Sequence, residues 1–111
     1  MAATNFEELV AAIAEEAPHA LVLDWYRRLE LTVRSYLAAR GMAYSNGPAA
    51  ESIIAADPRL GHDVARELSR LRVLRNTHTH GWQALIPLDA VQYARAAFAL
   101  MGCVMRAENS K

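Results

Sequence analysis

The chain has one cysteine, Cys103, in 111 residues, so no disulfide can close within it. An unstapled, cysteine-poor domain suits a reducing compartment. β-Branched residues are few, and no sustained alternation of apolar and polar residues speaks for a sheet; Trp82 to Ile86 is the one stretch that could be briefly extended. The longest apolar run, Ala96 to Met105, is about half the length a bilayer crossing requires. Glu7 and Glu8 stand where a secretory signal would carry basic residues, and no apolar run follows them. These absences predict a cytoplasmic protein. Surplus charge is lacking too: the formal net charge is zero. That argues against strong nonspecific nucleic-acid binding and, with no basic recognition helix, against a helix-turn-helix DNA reader. There is no internal repeat and no low-complexity tract.

What is present is a globular composition, 53% hydrophobic and 22% charged, dominated by alanine, leucine and arginine, a bias toward helix. The length fits one domain, residues 1–111, with a single modest core. Charge is divided unevenly. Residues 1–56 carry seven acids and four arginines, and residues 57–111 carry five acids and eight bases, so the halves stand at −3 and +3. Every base but Lys111 is arginine, the side chain that forks onto phosphate.

Periodicity predicts four main helices and one short one. The first runs from about Thr4 to Glu16, capped by Thr4 or Asn5, with Phe6, Leu9, Val10 and Ile13 as its apolar stripe. The second and longest runs from about His19 to Arg40. Leu21, Trp25, Leu29, Val33 and Leu37 recur every four residues along it, Tyr26 and Tyr36 widen the stripe, and Gly41 stops it. A short helix spans Pro48 to Ala56. Asp57-Pro58 reads as a cap and first residue of the third main helix, which runs to about Asn76 with Leu60, Val64, Leu68 and Leu71 inward. Residues 77–88 form a connection, and Asp89 caps a last helix from Ala90 to about Ala107 with Val91, Ala94, Phe98 and Met101 or Met105 inward. The expected fold is all-α: an antiparallel four-helix bundle with a short extra helix. Its apolar faces are wider than so small a bundle can bury alone, which predicts a homodimer; a monomeric mass by light scattering would reject it.

Reactive side chains are densest at Arg72, Arg75, Asn76, His78 and His80. Histidine is the acid–base group available near neutral pH, and arginine holds phosphate with two prongs. Together they suffice to cleave a phosphodiester without a metal: a histidine takes the proton of a ribose 2′-hydroxyl, arginine stabilises the phosphorane, and an acid protonates the leaving oxygen. Along a continuous helix, Arg75 and His80 point about 140° apart, whereas Asn76 and His80 share a face. Arg75 and His80 converge if the helix ends between them, or if a two-fold axis brings both copies into one cleft.

The segment Leu71-Arg72-Val73-Leu74-Arg75-Asn76-Thr77-His78-Thr79-His80-Gly81 resembles the signature of the HEPN superfamily, an arginine followed by a polar residue and then a histidine four to six positions after the arginine. Arg75, Asn76 and His80 match it; Arg72 and His78 offer a second register. The long second helix, the motif at the end of the third and the closing helix resemble the family layout as well. The resemblance implies a dimerising four-helix bundle whose paired motifs form an RNA-cleaving cleft. It also implies a metal-independent endoribonuclease needing no cofactor, of the kind found as toxins or defence components alongside an antitoxin protein. Arg75 would grip the scissile phosphate, His80 transfer protons and Asn76 orient them, with Arg70, Arg72, His78 and Trp82 as RNA contacts. Some family toxins carry a tyrosine two residues after the histidine, where this chain has Trp82.

Other chemistries find less in the sequence. A zinc site needs about three protein ligands, and near His78 and His80 only His62 and Asp63 are at hand. Cys103, between Gly102 and Val104 on an apolar helix, reads as an inert thiol. Trp82 and Tyr44 fall in loops and could stack on a base. The alternative function is a noncatalytic helical binding or regulatory protein, an antitoxin or partner-binding module of the same fold.

Overall fold

In the computed structural model, residues 5–44, 46–80 and 87–109 are described, with the side chains of 78–80 excepted. All their regular structure is helical. The elements are α1 (Phe6–Glu16), α2 (Pro18–Ala39), α3 (Gly47–Ala56), α4 (Gly61–His80) and α5 (Pro87–Asn109).

Local chemistry sets the helix ends. Asn5 caps α1, its Oδ1 accepting from the Glu8 amide at 2.8 Å. Ala17 alone separates α1 from α2, which opens on Pro18, where the missing N–H costs nothing. Gly41, at φ 71°, turns the chain after α2 in the left-handed region. Asn46 caps α3 by accepting from the Ala49 amide at 2.8 Å.

Two boundaries differ from the sequence expectation. Pro58 does not begin the third main helix. Asp57 closes α3 and accepts the amides of Arg59 (2.7 Å) and Leu60 (3.3 Å) in a tight turn, and Gly61, at φ 78°, redirects the chain into α4. The far end of α4 is longer than expected: the helix continues to His80, and α5 begins at Pro87 instead of at Ala90 behind an Asp89 cap. Thr77 supports the extension by donating its hydroxyl to the Val73 carbonyl at 3.0 Å. Of the expected 77–88 connection, residues 77–80 and 87–88 are thus helical, and residues 81–86, Trp82 among them, lie outside the described residues.

α2 and α5 make the most extensive contact and, unlike the antiparallel neighbours expected from the sequence, run side by side in the same sense. Trp25 meets Phe98 edge-on near one end, and Arg40 donates to the Ala107 carbonyl at the other. α4 runs opposite to both: Arg75 lies over Tyr26, and the Tyr93 hydroxyl donates to the Leu71 carbonyl at 2.7 Å. α1 packs across α2 and α5, and α3 lies against α4. Among the fully buried large side chains are Leu21, Leu29, Tyr36, Leu37, Ile54, Leu71 and Val104. The assembly is a plate of 41 × 39 × 19 Å with a radius of gyration of 14.7 Å, against about 13 Å for a rounder chain of this length.

The buried faces of α1 and α5 are rotated from the expected ones. On α5 the small residues Ala90, Ala94 and Ala97, with Tyr93, Leu100 and Val104, face inward, while Phe98 and Met105 are each 51% exposed. On α1, Val10 and Ala14 are buried and Leu9 and Ile13 are not. Alanines let α5 approach α2 closely, so the large residues expected inside are displaced to the rim. There Phe98 stacks on Phe6, ring centroids 4.4 Å apart.

Asp57 ties the α3–α4 corner to α2 through the Tyr36 hydroxyl, 2.8 Å from its Oδ2. Burial alone would raise the Asp57 carboxyl. The Tyr36 hydroxyl, the two backbone amides and the Arg40 charge outweigh that and hold it below the ordinary aspartate value. A carboxyl lowered by folding stabilises the fold above its unfolded pKa and loses that contribution as pH falls through the folded one. Denaturant titrations of the wild type should therefore weaken below about pH 4. Asp57→Asn should flatten that part of the curve; an unchanged acid limb in the variant would refute the assignment.

Candidate functional site

The arginines of α4 do three different things. Arg70 donates twice to Glu67, one turn back on its own helix (2.7 and 2.8 Å). Arg72 reaches across to α3, where its Nε and Nη2 both donate to the Glu51 carboxylate, the Nη2 contact being 3.1 Å. That pair is mostly shielded from solvent, and each guanidinium so paired sits above its ordinary pKa, held by the hydrogen-bonded carboxylate. Gly47 makes room for the Arg72 stem: a Cβ there would stand 2.7 Å from Arg72 Cδ. Both arginines expected to contact RNA thus already hold a carboxylate.

Arg75 has no such partner among the described residues. It stands four residues after Leu71 and seven after Leu68, so it continues the buried stripe of α4 where the pattern would place an apolar residue. Its stem is carried inward, and its guanidinium lies over the ring of buried Tyr26, 4.7 Å from the centroid. Arg75 Nε is buried and has no hydrogen-bond partner among the described residues. A half-buried arginine fixed on an aromatic face, with its charge unneutralised, is a group prepared for an anion.

Two buried tyrosines surround this charge. Burial raises the Tyr26 hydroxyl pKa and Glu30 adds to the rise, while Arg75 offsets part of it. Burial likewise drives Tyr93 up, and the charges of Arg75 and Arg70 pull the other way. Both phenols therefore stay protonated: Tyr93 donates to the Leu71 carbonyl, and Tyr26 offers its ring face to Arg75.

The remaining motif residues are placed only in part. Asn76 is half-buried beside Arg75, and Thr77 is exposed. His78 and His80 belong to α4 by backbone, but their side chains lie outside the described residues, as does Trp82. Because α4 is unbroken to His80, the expected helix end between Arg75 and His80 does not exist. Positions 75 and 80 are about 140° apart around one axis, and positions 76 and 80 share a side. A helix end between the two positions therefore does not bring them together within one copy.

The sequence reading passed over Tyr26, Glu51 and Tyr93 as site-shaping residues. Tyr26 and Tyr93 look like core positions, and Glu51 stands on a helix with no visible link to α4. One signal was available: Arg75 is the charged residue that falls on the Val64–Leu68–Leu71 stripe. Comparison of the chain with models of protein families, with curated proteins and with solved structures gives no match.

Proposed function

We propose that this protein is a metal-independent endoribonuclease of the HEPN type, acting as a cytoplasmic homodimer in which two copies of the Arg75–Asn76–His80 motif share one cleft. The observation that carries this reading is Arg75 itself, held on Tyr26 with no carboxylate beside it among the described residues, while Arg70 and Arg72 are neutralised. The all-helical fold, with the motif on the last turns of α4, agrees with it. The homodimer is supported by exposed Leu9, Ile13, Phe98 and Met105, and by the separation of positions 75 and 80 around α4. A toxin or defence role, checked by an antitoxin protein, follows from the same resemblance.

In the proposed reaction a ribose 2′-oxygen forms a bond to the adjacent phosphorus as the bond from phosphorus to the 5′-oxygen breaks. His80 accepts the 2′-hydroxyl proton, and the imidazolium of the second copy's motif returns a proton to the departing 5′-oxygen. Arg75 balances the charge gathering on the phosphoryl oxygens, and Asn76 orients the phosphate. The products are a 2′,3′-cyclic phosphate and a 5′-hydroxyl.

The test is incubation of the purified protein with single-stranded RNA in EDTA. The wild type should yield cyclic-phosphate ends, and His80→Ala should reduce turnover by about 10²-fold or more, the range typical of a lost acid–base group. Equal turnover by the wild type and by His80→Ala would end the proposal and leave a noncatalytic binding module.

A further inference from the structure

Beside the Arg75 charge, the seam between α4 and α5 opens into a groove of about 430 Å³ lined by Arg70, Leu74, Asp89, Gln92 and Tyr93. Its walls differ in chemistry. Leu74 offers apolar surface and Tyr93 closes the floor, pinned to the Leu71 carbonyl. Asp89 and Gln92, in the first two turns of α5, are exposed and make no hydrogen bond or ion pair among the described residues. Arg70 spends its Nε and Nη2 on Glu67 and keeps Nη1. The groove therefore presents a carboxylate that only accepts, an amide that does both, and a guanidinium nitrogen, Nη1, whose N–H groups donate.

We infer that this groove is a nucleobase pocket selective for guanine, seated on the strand whose phosphate Arg75 holds. Guanine alone among the RNA bases sets two adjacent donors, N1–H and the N2 amino group, on one edge, which is what a carboxylate accepts. Its O6 and N7 are acceptors suited to the Gln92 amide and Arg70 Nη1. Adenine, cytosine and uracil each place a ring acceptor or carbonyl oxygen where the Asp89 carboxylate would repel it. Leu74 supplies the apolar surface against which the base lies, and the volume admits a base with its ribose. The groove adjoins the phosphate anchor: its lining residue Leu74 is the chain neighbour of Arg75, and its floor Tyr93 feels the Arg75 charge. This inference rests on the RNA-cleaving reading and extends it to which base flanks the cleaved bond.

The experiment uses 2′-O-methyl pentanucleotides, which cannot be cleaved, identical but for a central G, A, C or U, titrated into the full chain with fluorescence anisotropy as the readout. The central-G oligonucleotide should bind about tenfold more tightly than the other three. Asp89→Asn and Gln92→Ala, both at exposed positions, should bring the four affinities within about twofold of one another. Arg75→Ala should weaken all four equally and leave the G preference in place. Wild-type binding with equal affinity for the four oligonucleotides would overturn the guanine pocket while leaving the nuclease reading to stand on its own cleavage assay. A G preference untouched by Asp89→Asn and Gln92→Ala would overturn it as well. Absence of binding, alongside cleavage of ordinary RNA in EDTA, would place recognition elsewhere and sink the pocket alone.

Discussion

Glu51→Ala should destabilise the fold by about 2 kcal/mol and lower the melting temperature by about 8 °C. The carboxylate it removes is the sole charge partner of Arg72 among the described residues, and the two side chains are 12% and 22% exposed. Removing one member of a fully buried pair costs about 3–5 kcal/mol because the survivor is left charged and unsolvated; partial exposure here lets water recover some of that. Arg72 cannot simply swing away, since its stem is packed against Gly47 on the neighbouring helix. The double variant Glu51→Ala/Arg72→Met should recover at least half of the loss, because an apolar side chain of similar length fills the same channel without needing a counter-charge. Urea unfolding of the two single variants and the double closes the cycle. A Glu51→Ala midpoint within about 0.5 kcal/mol of wild type would show that the pair contributes no more than a surface ion pair.

Under the proposed nuclease reading, Arg75→Lys should lower RNA turnover by about 10²-fold or more while leaving the fold intact. Lysine keeps the positive charge, so simple attraction for the strand survives. It lacks the planar guanidinium that lies 4.7 Å over Tyr26, and the second prong that clamps a phosphate in one orientation. The loss should appear in kcat more than in KM, since orientation at the reacting phosphate matters most in the transition state. Circular dichroism and the urea midpoint of the variant should match the wild type to within about 1 kcal/mol. Turnover within a few-fold of wild type would mean that Arg75 serves as a point charge, and the geometric case for it would fail.

Most of the helical layout could be read from the chain because its signals are local. Asn5, Pro18, Gly41 and Asn46 act within a turn of where they stand, and the four-residue recurrence on α2 names most of its buried face. The misjudged features depend on packing between helices. On α5, Phe98 and Met105 outrank alanine in any hydrophobic reading, yet close approach to α2 selects Ala90, Ala94 and Ala97 for the inside. The end of α4 was set too early because Thr77, His78 and Thr79 are indifferent helix formers; Thr77 instead bonds back to Val73. At the candidate site, the position of Arg75 on the apolar stripe was visible in the sequence. Its neighbour Tyr26, 49 residues earlier, was not, nor was the pairing of Arg72 with Glu51, because nothing in a linear pattern states which helix faces which.

A body only 19 Å through is two helices deep. Among the described residues there is no depth for a chamber able to shut a polymer away from water, and the concavities they form on a lone copy are furrows open to the medium. If the proposed homodimer forms, a dry, enclosed environment arises only where two such plates press together, and the concentration of the protein itself becomes a control on when that environment exists.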